Sequence, residues 1–380
     1  MNPFSKTFKL GILGGGQLGR MLIQASIDLN TYIKIMDPDA EAPCKYLAHD
    51  FVQGSLMDFD AVYAFGKNVD VLTIEIEHVN VDALEKLEVE GVKVYPQPNV
   101  IRIIQDKRVQ KQFYKDHGIP TPDFVLTDTV EDVAKHVDFL PAFQKLGKAG
   151  YDGRGVQRLK SAEDLGKAFT EPGLLEKAID FEKEISVIVA RRSNGEMETF
   201  PVVELVFHPE HNLVEYLFAP AQISVEVEEQ AQRLARKVAE KLEIVGLLAV
   251  EMFLTKEGEV LVNESAPRPH NSGHHTIKAN YTSQFEQHLR AVLDLPLGST
   301  HIKSLAAMVN LLGEAGYTGD AYYEGMETVL QIAGVYPHLY GKQTTKPFRK
   351  MGHVTILDTN LSSLQNKVSV VRDSLKVISK

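Results

Sequence analysis

Short apolar runs alternate with helix-like segments along the N-terminal part of the chain. The runs at residues 8–13, 32–36 and 69–76 are aliphatic and rich in β-branched side chains, and segments with helical spacing of apolar residues lie between them. This alternation is typical of an open parallel α/β sheet. The sequence therefore predicts a Rossmann-like domain over residues 1–98, which ends where two prolines interrupt the pattern at residues 95–99.

The pattern changes after residue 98. Strand-like runs follow one another without helices between them, which favours antiparallel pairing and an α+β domain over residues 99–295. Beyond residue 295, short runs separated by Gly and Pro predict a small, β-rich C-terminal domain over residues 296–380. The strands predicted after residue 98 are 184–191, 199–206, 247–254, 259–263, 306–312 and 353–356, and the helices are 100–117 and 227–242.

A glycine-rich turn joins the first predicted strand to the first predicted helix. Residues 14–19 fit the pattern G-x-G-x-x-G, and Asp37 ends the next strand, where dinucleotide-binding folds place an acid that binds ribose. The motif by itself leaves two functions open. One is dinucleotide binding, and the other is binding of a smaller ligand, such as a sugar phosphate, at the helix N-terminus.

A second glycine-rich segment covers residues 145–156 and lacks the Gly-Lys-Ser/Thr ending of a P-loop. Its glycines alternate with Lys148, Asp152 and Arg154. Backbone amides and cations in a glycine-rich hairpin suit closure over a polyphosphate, so we interpret the segment as a lid. A plain surface hairpin is the alternative.

Two acids lie on neighbouring predicted strands, Glu251 on one and Glu264 on the next, with a turn at residues 256–258 between them. A hairpin can place both carboxylates on one face, with Asn263 beside them. These oxygen ligands favour magnesium, which also binds phosphates. Two unrelated acids on exposed strands are the alternative.

Two polar loops follow these acids. Residues 267–275 are dense in hydrogen-bond donors, but their histidines lack the helical H-E-x-x-H arrangement, so zinc is not predicted. The single cysteine, Cys44, excludes a disulfide framework and any Cys-rich metal site. Residues 340–353 concentrate cations in an acidic chain, which indicates either a bound anion or a solvated basic loop.

The overall charge narrows the classes of partner. The chain has 41 basic and 51 acidic side chains and a formal net charge of −10, which argues against a general binder of nucleic acids or membrane surfaces. No stretch approaches the ~18 apolar residues of a spanning helix. We therefore predict a cytoplasmic protein with neither a nucleic acid nor a membrane as partner, and the overall charge still allows a local basic site for a small anion.

Several of these residues occur in the order and spacing of the ATP-grasp ligases. They are Lys107, Lys145, the glycine loop, residues 176–179 with Glu184, Glu251, Asn263 and Glu264. Within that superfamily the chain resembles the 5-(carboxyamino)imidazole ribonucleotide synthases of purine biosynthesis, through residues 14–21, 150–155, 263–274 and 340–353. The resemblance covers essentially the whole chain. It implies an ATP-grasp fold, combining α/β and α+β parts, with an N-terminal pre-ATP-grasp domain, a small β-rich C-terminal domain and a homodimeric assembly.

The resemblance also implies a reaction. ATP and bicarbonate give carboxyphosphate and ADP, and carbon dioxide passes to the exocyclic amine of 5-aminoimidazole ribonucleotide. Magnesium is held by Glu251 and Glu264, and bicarbonate and carboxyphosphate lie against the catalytic residues Arg268, His270, Asn271 and Ser272. The residues implied to bind ATP are Lys107, Lys145, Gly150, Tyr151, Asp152, Gly153, Arg154, Gly155, Val156, Glu176, Lys177, Ala178, Ile179, Glu184, Asn263 and Glu264, with residues 176–179 as the adenine hinge and Glu184 on the ribose.

The ribonucleotide has its own implied contacts. Tyr151, Asp152 and Arg154 close on the imidazole, with Asp152 as partner of the amine. Under this interpretation the first glycine motif binds the substrate rather than a dinucleotide, and Asp37 loses its ribose role. The other implied contacts are Gln17, Leu18 and Glu77 for ribose and base, and Lys342, Arg349 and Lys350 for the 5′-phosphate; Lys346 stands where the family usually has Arg.

Three alternatives remain from the sequence. A formate-dependent glycinamide ribonucleotide transformylase shares the domain plan. An NAD-dependent dehydrogenase accounts for the first glycine motif but leaves the other clusters unexplained. A catalytically silent nucleotide-binding protein predicts ATP binding without turnover, and the presence of Glu251, Asn263, Glu264 and Arg268 argues against it.

Overall fold

A computed structural model describes residues 2–148, 155–208 and 213–380 of the chain. The N-terminal part is a parallel sheet with the strand order β3-β2-β1-β4-β5, flanked by helices. The Rossmann-like prediction for this part is confirmed. Its strands are β1 (Leu10–Leu13), β2 (Ile33–Asp37), β3 (Asp50–Gln53), β4 (Val71–Ile74) and β5 (Lys93–Val94), and its helices are α1 (Gln17–Ile27), α2 (Phe59–Gly66) and α3 (Val81–Val89).

Two helices follow where the sequence predicted one. The predicted helix at residues 100–117 is wrong as a single element, because the chain forms α4 (Pro98–Ile104) and then α5 (Lys107–Asp116). The Asp106 side chain accepts a hydrogen bond from the Arg108 amide at 3.0 Å and so caps a new helix N-terminus. This break makes Lys107 the first residue of α5 and directs it toward the site described below.

A small antiparallel sheet comes next, with the order β6-β9-β7-β8. This sheet packs beside α5. The second glycine segment connects β7 to β8, and these two strands pair with each other. Its elements are β6 (Phe124–Thr127), α6 (Val130–Lys135), β7 (Ala142–Leu146), β8 (Val156–Leu159) and β9 (Gly173–Lys177).

The largest sheet is antiparallel, with the order β15-β14-β10-β12-β13-β16-β20-β18 and β11 paired to β10. The strand predicted at residues 199–206 is interrupted at Pro201, which lacks the N–H that a ladder needs. The elements of this part are β10 (Phe181–Arg191), β11 (Met197–Thr199), β12 (Val203–Phe207), β13 (Val214–Ala219), α7 (Val225–Leu242), β14 (Gly246–Thr255), β15 (Val260–Ala266), α8 (Thr276–Ala279) and α9 (Gln284–Val292).

The C-terminal strands are divided between two sheets: β16, β18 and β20 belong to the large sheet, whereas β17, β19 and β21 form a three-stranded antiparallel sheet. Strand β16 pairs with β13, so the strands predicted for the C-terminal domain extend the same large sheet. A long helix, α11, packs on them and was absent from the predicted β-rich pattern. The C-terminal elements are β16 (Leu305–Leu312), β17 (Gly319–Glu324), α10 (Met326–Leu330), β18 (Val335–Leu339), β19 (Thr344–Thr345), β20 (Lys350–Asp358), α11 (Leu361–Ser374) and β21 (Lys376–Ser379).

Two hydrophobic cores fix the geometry of the candidate site. Helix α7 packs Val238 and its neighbours against Leu248 and Val250 of β14. Helix α9 instead packs Phe285 and Leu289 against the apolar face of the N-terminal sheet. Since α9 also contacts β10 and β14, it joins the N-terminal sheet to the large sheet. Across the described parts of the chain, no helix has both the length and the apolar composition needed to cross a membrane.

Candidate active site

The first glycine turn is bound by the chain's own carboxylates. The Gly15 amide donates to Asp37 Oδ2 at 2.6 Å, and the Gly16 and Gly19 amides donate to the two Glu75 carboxylate oxygens, each at 2.8 Å. A Cβ on Gly16 would lie 2.6 Å from Glu75 Oε1, so only glycine allows this approach. These are the amides that a dinucleotide pyrophosphate would need, so the geometry disfavours the dinucleotide interpretation. Sequence reasoning missed Glu75.

The other N-terminal candidates lie around this turn. Gln17 is half-buried at the start of α1, whereas Leu18 is only 8% exposed and packs in the hydrophobic core. Because the Leu18 side chain is packed in the core, its predicted contact with the substrate stays a prediction that would use its backbone. Glu77 lies 2.9 Å from Arg268, which links the N-terminal sheet to the loop after β15.

Lysines from two elements, α5 and β7, meet one group of oxygens. Lys145 of β7 donates to Glu176 Oε1 at 2.6 Å and to Asn263 Oδ1 at 2.9 Å. Lys107 of α5 forms an ion pair with Glu264. Burial opposes the charged form of Lys107, but the attraction of Glu264 outweighs it and raises the pKa of Lys107. The predicted phosphate-binding cations and the predicted magnesium ligand thus lie together.

A third lysine, Lys111, was not predicted from the sequence. It is 3% exposed, forms an ion pair with Glu176 Oε2 at 2.5 Å, and donates to Thr121 Oγ1 at 2.6 Å. Burial lowers the pKa of Lys111 to about 8, while the two lysines hold the pKa of Glu176 below its usual range despite burial. Glu176 therefore bridges Lys111 and Lys145. A lysine among polar helix residues gives no sequence signal for such burial.

Part of the backbone of the predicted adenine hinge, residues 176–179, is hydrogen-bonded to other segments of the chain. The Lys177 amide donates to Asp123 O at 2.8 Å and the Ala178 amide to Pro141 O at 3.4 Å, while Ile179 follows them before β10. Glu184 is half-buried on β10, and burial raises the pKa of its carboxyl to about 7. The positive charge of Lys145 opposes this rise in the pKa of Glu184.

The two predicted metal ligands lie directly opposite each other. Glu251 of β14 pairs in register with Glu264 of β15, and the register then shifts so that Asn263 is the extra residue of a β-bulge. A bulge re-aims side chains, and here both Asn263 and Glu264 reach the lysines. Burial and the charge of Glu264 raise the pKa of Glu251 to about 8, whereas Lys107 lowers that of Glu264 to about 2.

This donor set fits a magnesium ion. Magnesium is held in proteins by one or two carboxylates together with substrate phosphates. Glu251 and Glu264 supply two carboxylates on one face, and a cation between them would relieve the repulsion that raises the pKa of Glu251. Among the described residues no group of three or more His, Cys, Asp or Glu side chains is arranged to hold a metal, so a site completed by phosphate oxygens is the arrangement that these residues support.

The loop after β15 carries the predicted catalytic residues. His270 Nε2 lies 3.4 Å from Glu251 Oε1, and its Nδ1 lies 3.0 Å from Ser272 Oγ. Ser272 Oγ is also 3.0 Å from Ser186 Oγ on β10. The Asn271 amide forms two reciprocal hydrogen bonds with the Asn310 amide, at 2.8 and 3.0 Å. The loop is therefore fixed against both β10 and β16.

The basic C-terminal cluster is divided by the structure. Lys350 begins β20, and its positive charge opposes the rise in the pKa of Glu251 that burial and the charge of Glu264 cause. Lys342 Nζ donates to the Lys350 carbonyl at 2.7 Å. Arg349 instead donates to the Thr344 carbonyl at 2.7 Å, so it folds back on its own loop. Lys346 is exposed.

The tip of the predicted lid lies outside the described residues. Gly150, Tyr151, Asp152, Gly153 and Arg154 belong to that tip, so their predicted roles stay predictions. The end of the lid is described: Gly155 O accepts from the Leu146 amide at 2.9 Å, and Val156 begins β8.

Comparison with known families assigns the three parts of the chain. Residues 7–105 match the ribonucleotide synthetase preATP-grasp domain, residues 112–285 match the ATP-grasp domain, and residues 306–367 match the phosphoribosylaminoimidazole carboxylase C-terminal domain. The predicted ATP-grasp fold is confirmed by these matches. The domain boundaries at residues 98 and 295 stay a prediction.

Individual relatives agree with this assignment. The chloroplastic phosphoribosylaminoimidazole carboxylase of Vigna aconitifolia is 42% identical over 373 residues; the match covers 95% of this chain, which spans 66% of the length of the plant protein. The structure of N5-carboxyaminoimidazole ribonucleotide synthetase from Thermotoga maritima superposes with a TM-score of 0.92 at 42% identity, covering 98% of this chain and 100% of that one.

A third relative was solved with ligands. The N5-carboxyaminoimidazole synthase of Aspergillus clavatus, in complex with ADP and 5-aminoimidazole ribonucleotide, superposes with a TM-score of 0.89 at 35% identity, covering 97% of this chain and 98% of that one. Together with the geometry above, these similarities show that the chain belongs to the N5-carboxyaminoimidazole ribonucleotide synthase family of the ATP-grasp superfamily.

Proposed function

We propose that this protein carboxylates the exocyclic amine of 5-aminoimidazole ribonucleotide, using ATP and bicarbonate. The γ-phosphoryl group of ATP passes to a bicarbonate oxygen, which gives ADP and carboxyphosphate. In carboxyphosphate, the bond between the carbon and the oxygen that is attached to phosphorus then breaks, which releases phosphate. The amine nitrogen of the nucleotide bonds to that carbon and loses a proton. The product is 5-(carboxyamino)imidazole ribonucleotide.

One observation carries the proposal. Groups predicted from separate segments form a continuous series of contacts: Lys107 pairs with Glu264, Glu264 lies opposite Glu251, and Glu251 contacts His270. Two residues before His270, Arg268 reaches Glu77 of the N-terminal domain. The residues proposed to bind ATP, the carboxylate pair and the donor-rich loop are thus linked to the N-terminal domain through the contact of Arg268 with Glu77.

The ATP part of the proposal rests on charge. Lys107 and Lys145 are cations held among carboxylates and an amide, so the phosphate oxygens of ATP would meet positive charges that are already in place. Magnesium, held by Glu251 and Glu264, would supply neutralisation of charge on the phosphates. Glu184 is a half-buried acceptor suited to the ribose hydroxyls, and we propose residues 176–179 as the backbone that meets the adenine edge.

The acyl part rests on the loop after β15. The Arg268, His270, Asn271 and Ser272 side chains are donors held in place by contacts with Glu77, Glu251, Asn310 and Ser186, respectively. Donors held in advance stabilise charge that develops on bicarbonate and carboxyphosphate, and they exclude water from a reactive mixed anhydride. For the ribonucleotide we propose Gln17, Glu77, Lys342, Lys350 and Arg349, with Tyr151, Asp152 and Arg154 from the lid.

We also propose a homodimer in the cytoplasm and division of the chain at residues 98 and 295, as the sequence analysis predicts. The similarity to a synthase solved with ADP and 5-aminoimidazole ribonucleotide supports the choice of substrate. The bonds from Asp37 and Glu75 to the glycine turn argue against the dehydrogenase alternative.

Release of ADP tests the proposal. Purified protein is incubated with ATP, magnesium and bicarbonate, with and without 5-aminoimidazole ribonucleotide, and the control receives glycinamide ribonucleotide and formate. Stimulation by the imidazole nucleotide alone is expected. Stimulation by glycinamide ribonucleotide and formate alone would indicate a formate-dependent transformylase instead. ATP binding without any release of ADP would indicate a catalytically inactive nucleotide-binding protein.

A further inference from the structure

Gln284 is a buried side chain that none of the sequence motifs includes. It is the first residue of α9 and has no exposed surface. Its amide contacts both polar groups of one backbone unit: the His270 amide donates to Gln284 Oε1 at 2.8 Å, and Gln284 Nε2 donates to the His270 carbonyl at 2.7 Å. A neighbouring β-strand would bind His270 in the same way.

The loop needs such a partner because its sequence prevents regular pairing. Pro267 and Pro269 flank Arg268 and lack the N–H groups of a ladder. A Cβ on Gly273 would lie 2.5 Å from Gln284 Oε1, so the loop also packs closely against this amide. One side-chain amide therefore replaces a missing strand beside the predicted catalytic residues.

Gln284 itself is held by a rigid scaffold. Its backbone amide donates to Thr276 Oγ1 at 2.9 Å, and Thr276 in turn donates to the Gly273 carbonyl at 2.5 Å. Directly after Gln284, Phe285 is buried against the N-terminal sheet. The position of the amide is therefore set by the packing of α9, which joins the two sheets of the site.

We propose that Gln284 is a positioning residue that holds His270 so that its ring contacts Glu251 and Ser272 and the adjoining Arg268 reaches Glu77. This inference rests on the proposed function, because it deepens the role of the same loop. Gln284 does not touch the reacting atoms; it acts through the backbone of His270. Its loss is expected to impair transfer from carboxyphosphate rather than ATP binding, since Lys107 and Lys145 lie on other elements.

The same helix offers a matched control. Gln287 is equally buried and holds Gly298 in the same way, with its Nε2 donating to the Gly298 carbonyl and its Oε1 accepting from the Gly298 amide, both at 2.8 Å. Gly298 belongs to the connection after α9, which carries none of the predicted site residues. Gln284→Met and Gln287→Met therefore each remove the two hydrogen bonds from a buried side-chain amide to one backbone unit, in and away from the site. Gln284→Met also removes the contact of Nε2 with His274 Nδ1 at 3.1 Å, which belongs to the same loop.

The test compares these two variants with the unaltered protein. Both are expected to lose similar thermal stability. Only Gln284→Met is expected to lower kcat for ADP release stimulated by 5-aminoimidazole ribonucleotide, by about tenfold to a hundredfold, because small misplacements of catalytic groups have effects of this size. Its KM for ATP should stay within about twofold of the unaltered value, and the ratio of ADP formed to nucleotide carboxylated should rise.

Hydrogen exchange followed by mass spectrometry gives a readout that does not depend on activity. Exchange in the peptide that covers residues 267–275 is expected to rise in Gln284→Met and not in Gln287→Met. Equal kinetics and equal exchange in the two variants would overturn the inference. If the unaltered protein shows no stimulated ADP release, the proposed function fails, while the exchange comparison still tests whether Gln284 holds the loop. If Gln284→Met does not fold, the same kinetic and hydrogen-exchange measurements are made on Gln284→Asn, which keeps the side-chain amide but is one methylene shorter.

Discussion

Glu176 gives a prediction that separates two roles for one residue. The family resemblance assigns it to the adenine hinge, where its backbone would act, whereas the structure places its side chain between Lys145 and Lys111 at 2.6 and 2.5 Å. Glu176→Gln leaves the backbone and nearly all of the volume unchanged, removes the charge and replaces one of the two acceptor oxygens by an NH2 donor. If the side chain matters, both stability and the affinity for ATP change; if only the backbone matters, neither does.

The size of the stability loss follows from burial. Glu176 is 2% exposed, and removing one partner of a buried ion pair costs about 3–5 kcal/mol. Lys111 can limit this cost by releasing its proton, because burial already lowers its pKa to about 8 and each unit of pKa corresponds to about 1.4 kcal/mol. At pH 7 we therefore expect a loss near the lower end, about 3 kcal/mol.

The loss should depend on pH with a definite sign. The pKa of Lys111 is lowered from its ordinary 10.5, so between pH 8 and 10.5 the unfolded chain binds more protons than the folded one, and Lys111 makes stability rise with pH there. Removing the Glu176 charge lowers that pKa further. The difference in stability between variant and unaltered protein is thus larger at pH 7 than at pH 9, because it becomes smaller as the pH rises toward and through 8.

The assay is urea unfolding at pH 7 and pH 9, followed by circular dichroism because the chain has no tryptophan. Glu171→Gln is the control, since Glu171 is exposed just before the same strand and should change stability by less than about 0.5 kcal/mol. The KM for ATP should rise in Glu176→Gln as Lys145 loses its partner. A Glu176→Gln protein as stable as the control, with an unchanged KM, would refute the reasoning.

Three further substitutions test other parts of the site. Glu264→Ala is expected to abolish turnover while leaving the circular dichroism spectrum intact, and near-normal magnesium-dependent ADP release would refute the metal assignment. Glu75→Ala unpairs two loop amides and should cost about 2 kcal/mol in urea unfolding without creating NAD binding; an unchanged midpoint, or NAD bound by the variant, would contradict this. Lys350→Ala should raise the KM for 5-aminoimidazole ribonucleotide about tenfold, whereas the exposed Lys346→Ala should not, and equal effects would count against the assigned position of Lys350.

Sequence reasoning succeeded where spacing along the chain decides geometry. The hairpin between Glu251 and Glu264 is local, so a short turn and alternating strands suffice to predict that the two acids share a face. The strand–glycine–helix unit at the N-terminus is equally local. Its ligand was left open because the pattern cannot show that Glu75 and Asp37 bind the loop amides.

Contacts between distant segments could not be predicted in this way. Lys111 lies among polar residues of α5 and gives no sign that it is buried against Glu176. The pairing of Asn271 with Asn310 depends on the C-terminal strands joining the large sheet, which a pattern of short strands does not reveal. The bulge at Asn263 likewise depends on the partner strand, so its effect on the lysine contacts appears only in the fold.

The central claim is that bicarbonate is activated as carboxyphosphate in this site. If it is, one bicarbonate oxygen stays bonded to phosphorus when the carbon–oxygen bond breaks. Bicarbonate labelled with ¹⁸O is therefore incubated with the protein, ATP, magnesium and 5-aminoimidazole ribonucleotide, and the released phosphate is examined by ³¹P NMR. We predict transfer of one ¹⁸O into each phosphate, in step with carboxylation of the nucleotide. Phosphate released without the label would contradict the account.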